Sequence, residues 1–292
     1  MMDWLLEPLS YTFMVRGLLA SLMVGLICPI LGSYIILLGM SFFGDALAHT
    51  ILPGVVLAFL LDWPLLVGAL IFGVLTPLVV GALTQGGEVR EDTAIGIVFA
   101  GSFALGVALI STMDNYAVDL THILFGDVLG VARADLWATL VLGALVLLTV
   151  ALFYKEFLVL AFDPTLAVVL RLPATFLRYL LLILIGVTIV VSLQTVGVAL
   201  VLAMLITPAA AAQLLTRRLP TMMGTAALIG MLANVLGLYV SYYWNIASGP
   251  AMVLVATGIF LLVFLFAPER GLLWRRAGAR RQSVQPTGIQ PT

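Results

Sequence analysis

The 292-residue chain carries 13 basic and 14 acidic side chains, so 9% of it is charged, while 63% is hydrophobic and the mean hydropathy is +1.22. Soluble domains are about a quarter charged, and so little polar surface cannot keep a folded chain of this length in water. That excludes a cytosolic enzyme, a secreted disulfide scaffold and a disordered chain. A net charge of −1 leaves no electrostatic footprint for nucleic acid, and the lone Cys28 cannot form an internal disulfide.

A bilayer crossing needs about 20 mostly apolar residues and tolerates ionised groups badly, so long gaps between charges mark the spans. The first residues hold Asp3 and Glu7 but no base, which does not read as a secretory signal, and Trp4, Leu5 and Leu6 suggest an interfacial segment over 1–11. Long gaps follow at 17–44, 63–87, 93–113, 136–154, 179–216 and 219–268. The last two hold 38 and 50 residues, so each folds back once, near 194–197 and 241–250. A shorter run at 46–61, interrupted by His49, adds another crossing, either complete or partly re-entrant. The reading is all-α, a polytopic transmembrane bundle of about nine spans over 12–268. The remainder, 269–292, is basic and then rich in Gln, Pro, Thr and Gly, with too little apolar content to pack, and reads as a mostly disordered tail.

Cytoplasmic loops carry the excess of Lys and Arg. With nine spans and an inward C-terminus, eleven bases fall on the cytoplasmic side, among them Arg90, Lys155, Arg171, Arg217 and Arg218, and only Arg16 and Arg133 face outward. The opposite orientation reverses the ratio. Small residues recur at four-residue spacing in Gly17, Ser21 and Gly25 and again in Ala226, Gly230 and Asn234, the pattern that lets transmembrane helices approach closely.

The sequence has no G-x-x-x-x-G-K-[ST] for nucleotide, no H-E-x-x-H for zinc hydrolysis and no G-x-S-x-G nucleophile turn. Its informative polar residues are few. Asp45 and His49 are four apart, so on a helix they share a face, where carboxylate oxygen and imidazole nitrogen suit a divalent transition metal; they could equally satisfy each other. Asp114, Asp119, His122 and Asp127 lie between the fourth and fifth spans on the outer side, where they either steer cations electrostatically or are simply solvated. Asp163-Pro164 opens a short stretch closed by Leu172-Pro173, with an N-cap acid and proline at the first helical position. The apolar face of that short helix, Leu166, Val169 and Leu170, needs either a protein partner or lipid headgroups to rest on. Thr207-Pro208 marks a hinge or a static kink inside a span. Gln194 and Asn234 are further polar residues in apolar runs.

Three ordered segments carry a resemblance. Phe43-Gly-Asp-Ala-Leu-Ala-His-Thr-Ile-Leu-Pro-Gly54 resembles the signature of the manganese, zinc and iron permeases of ATP-binding-cassette importers. Phe162-Asp-Pro-Thr165 with Leu172-Pro173, and Leu205-Ile-Thr-Pro-Ala-Ala-Ala211, are similar to two more of that family's motifs. The resemblance implies a homodimer of this chain in the plasma membrane, two separate cytoplasmic ATPase subunits and an extracytoplasmic metal-binding protein, with no cofactor held by this chain. It also implies that Asp163, Pro164, Leu166, Leu170 and Arg171 form a coupling helix. The segment from Asp119 through His122 to Gly126 is closer to the manganese and iron branch than to the zinc branch, although Asp127 departs from relatives with Asn there. The expected function is import of manganese or iron, with zinc next, by alternating access. An ungated cation channel and an intramembrane hydrolase are the alternatives, the latter weakened because Phe precedes both Gly44-Asp45 and Gly126-Asp127.

Overall fold

The computed structural model describes residues 7–112, 128 and 130–267. Among them every regular element is helical, and nine helices are long and apolar enough to cross a membrane. After a 3₁₀ turn at Pro8–Ser10 come α1 (Thr12–Leu38), α2 (Ser41–Thr50), α3 (Leu52–Leu60), α4 (Leu65–Thr84) and α5 (Glu91–Ile110). There follow α6 (Arg133–Leu152), α7 (Tyr154–Phe162), α8 (Pro164–Val169), α9 (Ala174–Val196), α10 (Val198–Leu215), α11 (Leu219–Trp244) and α12 (Ser248–Phe266). Helices α2 and α3 together make one 20-residue stretch broken at Ile51, so the 46–61 run belongs to a helical pair long enough to cross.

Element ends follow local chemistry. Helix α1 stops at Gly39, whose left-handed φ of 72° lets its N–H turn back to the carbonyls of Ile35 and Ile36. The fold-back expected near 194–197 is a one-residue turn at Gly197, φ 83°, and the one expected near 241–250 begins at Asn245, φ 52°. Several spans reach past the charge-free gaps to take in terminal charges that suit them. Glu91 and Asp92 sit in the first turn of α5, where the helix dipole favours acids, and Asp135 accepts a 3.1 Å hydrogen bond from the Ala132 N–H at the start of α6.

Two groups of helices pack around shared members. Helices α1, α10, α11 and α12 form one group; α3, α4 and α9 form the other, with α2 and α5 against it, and α9 also meets α1 and α6. The two stripes of small residues face each other: a methyl on Gly25 would lie 3.0 Å from the Gly230 backbone, and the Asn234 Nδ2 donates to the Ser21 carbonyl. Asn234 is therefore a clamp between α1 and α11, fully buried, with its side-chain nitrogen satisfied across the interface. At one end of the second group the Arg178 guanidinium of α9 joins α4 and α5 by donating to the Thr84 hydroxyl at 3.1 Å and to the Glu91 carboxylate.

Candidate metal pathway and coupling helix

Helix α2 buries most of its circumference. Phe43, Ala46, Leu47, Ala48 and Thr50 are at most 2% exposed, which leaves an outward strip of Ser41, Phe42, Asp45 and His49. The two polar residues do share that face, as their spacing requires, with His49 Nε2 3.9 Å from Asp45 Oδ1. That is beyond hydrogen-bond range but within ion-pair distance for a protonated imidazole. Their side chains keep 33% and 41% of their surface open, His49 and Asp45 respectively.

The rings of Phe99 and Phe103, one turn apart on α5, meet the imidazole edge-on at 5.9 and 6.2 Å and stack on each other at 6.0 Å. They wall one side of His49 and limit its ring orientations. Their i, i+4 spacing was visible in the sequence, but nothing in it paired them with α2. Directly after His49 the span breaks: Pro53 has no N–H to give the His49 carbonyl four residues back. The strip thus ends at an interruption of the backbone inside an apolar span.

The third motif holds α2 in place. Leu205 of α10 lies between Gly32 of α1 and Gly44 of α2: a methyl on Gly32 would fall 1.7 Å from the Leu205 carbonyl oxygen, and one on Gly44 would fall 2.7 Å from its side chain. Beyond Leu205, Pro208 is buried inside a helix that continues to Leu215, with Thr207 half-buried beside it and Ala209, Ala211 and Ala212 fully buried. Thr207 and Pro208 are therefore one turn or less from the residue on which the Asp45 helix rests.

The stretch after α7 folds as its punctuation predicts. Asp163 Oδ1 accepts from the backbone N–H groups of Thr165 at 2.9 Å and Leu166 at 3.1 Å and from the Thr165 hydroxyl. The hydroxyl bond first, then the Leu166 N–H, outweighs the small cost of desolvation and holds this carboxyl below the usual carboxylate range. Pro164 opens the helix at N1, and the Leu172 N–H closes it on the Ala167 carbonyl at 3.0 Å, with Arg171 left-handed at φ 54°. Ala167 is buried, whereas Leu166, Val169 and Leu170 are exposed, Val169 by 76%. Asp114, Asp119, His122 and Asp127 lie outside the described residues, as do 1–6 and 268–292. Among the described residues no three His, Cys, Asp or Glu side chains come together.

Residues 10–267 match the ABC 3 transport family. The chain belongs to that family. It is 47% identical over 281 residues to the manganese transport system membrane protein MntC of Halalkalibacterium halodurans, covering 95% of this chain and 96% of that one. It is 40% identical to the chelated iron transport system membrane protein YfeD of Yersinia pestis over 98% and 96% of the two chains. Among solved structures, PsaBC from Streptococcus pneumoniae in complex with Fab superposes with a TM-score of 0.83 at 37% identity, over 94% of this chain and 99% of that one. This ABC 3 family member is a multi-pass membrane protein with the all-α architecture read from its charges.

Proposed function

We propose that the chain is the permease subunit of an ATP-binding-cassette importer that carries manganese or iron, with zinc the runner-up, into the cytoplasm, with Asp45 and His49 lining the pathway. The observation that carries this reading is the outward strip of α2. An ionisable pair on a transmembrane helix is costly against lipid, so a strip that its own chain leaves open needs protein or water beside it. A second copy of the chain, packed strip to strip, supplies both: two carboxylates and two imidazoles around one path, a donor set suited to manganese, iron or zinc. The relatives named for manganese and iron transport support the metal class.

Energy comes from outside the chain, whose sequence has no nucleotide-binding Walker motif. Two cytoplasmic ATPase subunits seat on α8 through Leu166 and Leu170, and an extracytoplasmic binding protein delivers the metal at the outer loops, where Asp119 and His122 draw cations in. Closure of the ATPases pushes α8 and switches the path from outward to inward access. Thr207 and Pro208 let α10 flex, which moves Leu205 and with it the Asp45 helix. The chain lies in the plasma membrane with its C-terminus cytoplasmic.

Isotope uptake into vesicles holding the whole transporter tests the reading. Asp45→Asn and His49→Ala should each abolish manganese and iron uptake while the ATPase still co-purifies. Uptake at the wild-type rate in either variant, with the complex intact, would remove the pair from the pathway.

A further inference from the structure

A cavity of about 830 Å³ opens between α4 and α9, and no residue of the Asp45 strip lines it. Its walls include Leu78 of α4 and Phe176, Leu180 and Ile183 of α9, while Arg171 and Thr175 stand at one end. From the start of α9 at Ala174 to Ile183 it runs nine residues, roughly 13 Å of helix, from the membrane surface into the hydrocarbon. Leu78 and Phe176 are exposed at 39% and 56%, so the cavity is open along its side, on spans apolar enough to lie in lipid. A largely apolar body, in which the Tyr179 ring packs against Gly81 of α4, with Arg171 and Thr175 at one end, has the layout of a phospholipid.

Charge selects the headgroup. Arg171 is exposed, closes α8 with a left-handed backbone, and has no carboxylate within ion-pair distance among the described residues. By contrast Arg178, at a smaller adjoining niche of about 200 Å³, is engaged with Glu91 and Thr84. A guanidinium at a membrane surface with no acid to pair with attracts anionic headgroups, and its planar fork matches phosphate oxygens. We propose that this groove binds an anionic phospholipid, its acyl chain along Leu78, Leu180 and Ile183 and its phosphate on Arg171 and the Thr175 hydroxyl. The lipid would then bridge the turn after α8 to the spans α4 and α9. This requires a membrane-embedded chain in which the ATPase on Leu166 and Leu170 leaves Arg171, past the end of α8, to the lipid; it depends neither on which metal moves nor on which face is cytoplasmic.

The test is native mass spectrometry of the intact transporter released from liposomes of equal phosphatidylglycerol and phosphatidylcholine. Wild type should retain phosphatidylglycerol with a roughly fivefold preference. Arg171→Gln should bring the two lipids to near parity, Arg171→Lys should keep part of the preference, and Leu78→Trp, which fills the groove from its other wall, should lower retention of both. An unchanged preference in Arg171→Gln, or undiminished retention in Leu78→Trp, would overturn the site. A photo-cross-linking side chain at Phe176 adds an independent readout. Adducts with phospholipid support the site; adducts with the ATPase or with a second copy of the chain would give the groove to a protein and refute it.

Discussion

His49 and Asp45 face the same way one helical turn apart, yet their nearest polar atoms stand 3.9 Å from each other, and the imidazole leans on Phe99 and Phe103. A pair that closed on itself would present one satisfied surface. Here the oxygen and nitrogen stand side by side at ion-pair distance, the arrangement on which the proposed metal path rests. If the pair holds the metal, Asp45→Asn should abolish uptake, and the milder His49→Gln, which keeps a polar side chain but loses an interaction with charge worth about 1.5–3 kcal/mol, should raise the metal concentration for half-maximal uptake at least about tenfold. Isotope uptake against metal concentration reads the effect.

The aromatic wall gives a separate expectation. Phe103→Ala should impair uptake less than loss of either ligand and should alter selectivity, because the imidazole gains orientations it now lacks. Competition between manganese, iron and zinc in the same vesicles measures it. An identical order of preference in wild type and variant would reduce Phe103 to packing.

Close packing at Leu205 should be intolerant. Gly32→Ala places a methyl 1.7 Å from a backbone oxygen, so α1 and α10 must separate, at a cost of about 1–3 kcal/mol or more. Gly96→Ala, in open space within α5, should be neutral or slightly stabilising. Thermal unfolding of the two purified variants in one detergent gives the comparison.

Leu166→Ala with Leu170→Ala should weaken co-purification of the ATPase and stop transport, while metal binding at Asp45 and His49 persists. Truncating a leucine that is buried at an interface costs about 2 kcal/mol or more, and here both are exposed on the isolated chain. Pull-down of the ATPase by tagged permease is the measurement, and full recovery with the double variant would leave α8 resting on lipid.

The cap of α8 should have a definite acid limit. Hydrogen bonds to the ionised form hold the Asp163 carboxyl below its unfolded value, so the stability it gives is complete above the ordinary carboxylate range and is lost as pH falls through the lowered folded value. Carboxyl chemical shifts of ¹³C-labelled aspartate, assigned with Asp163→Asn, should show this group titrating at lower pH than a solvated aspartate.

Orientation remains a matter of loop charge and is directly measurable. A reporter fused after Arg281 should be active only in the cytoplasm and one ahead of Asp3 only outside, given eleven bases on one side and two on the other. Two termini on one side would mean an even number of spans.

The sequence by itself determined the solvent, the number of crossings and the caps. Lipid excludes unpaired charge so strongly that gaps between charged residues mark the spans, and Gly197, Asn245 and the Asp163-Pro164 pair set local backbone geometry with no help from distant residues. It also put Asp45 and His49 on one face, since that needs only 3.6 residues per turn. Where the other elements lie around that face could not be read there. Helices that are apolar on all sides carry almost no directional signal, so nothing along the chain pairs Gly25 with Gly230, Ser21 with Asn234, or Leu205 with Gly32 and Gly44. Those pairings are decided by how closely backbones can approach across tens or hundreds of residues. They determine that the α2 strip is left open beside Phe99 and Phe103 while the rest of the helix is buried.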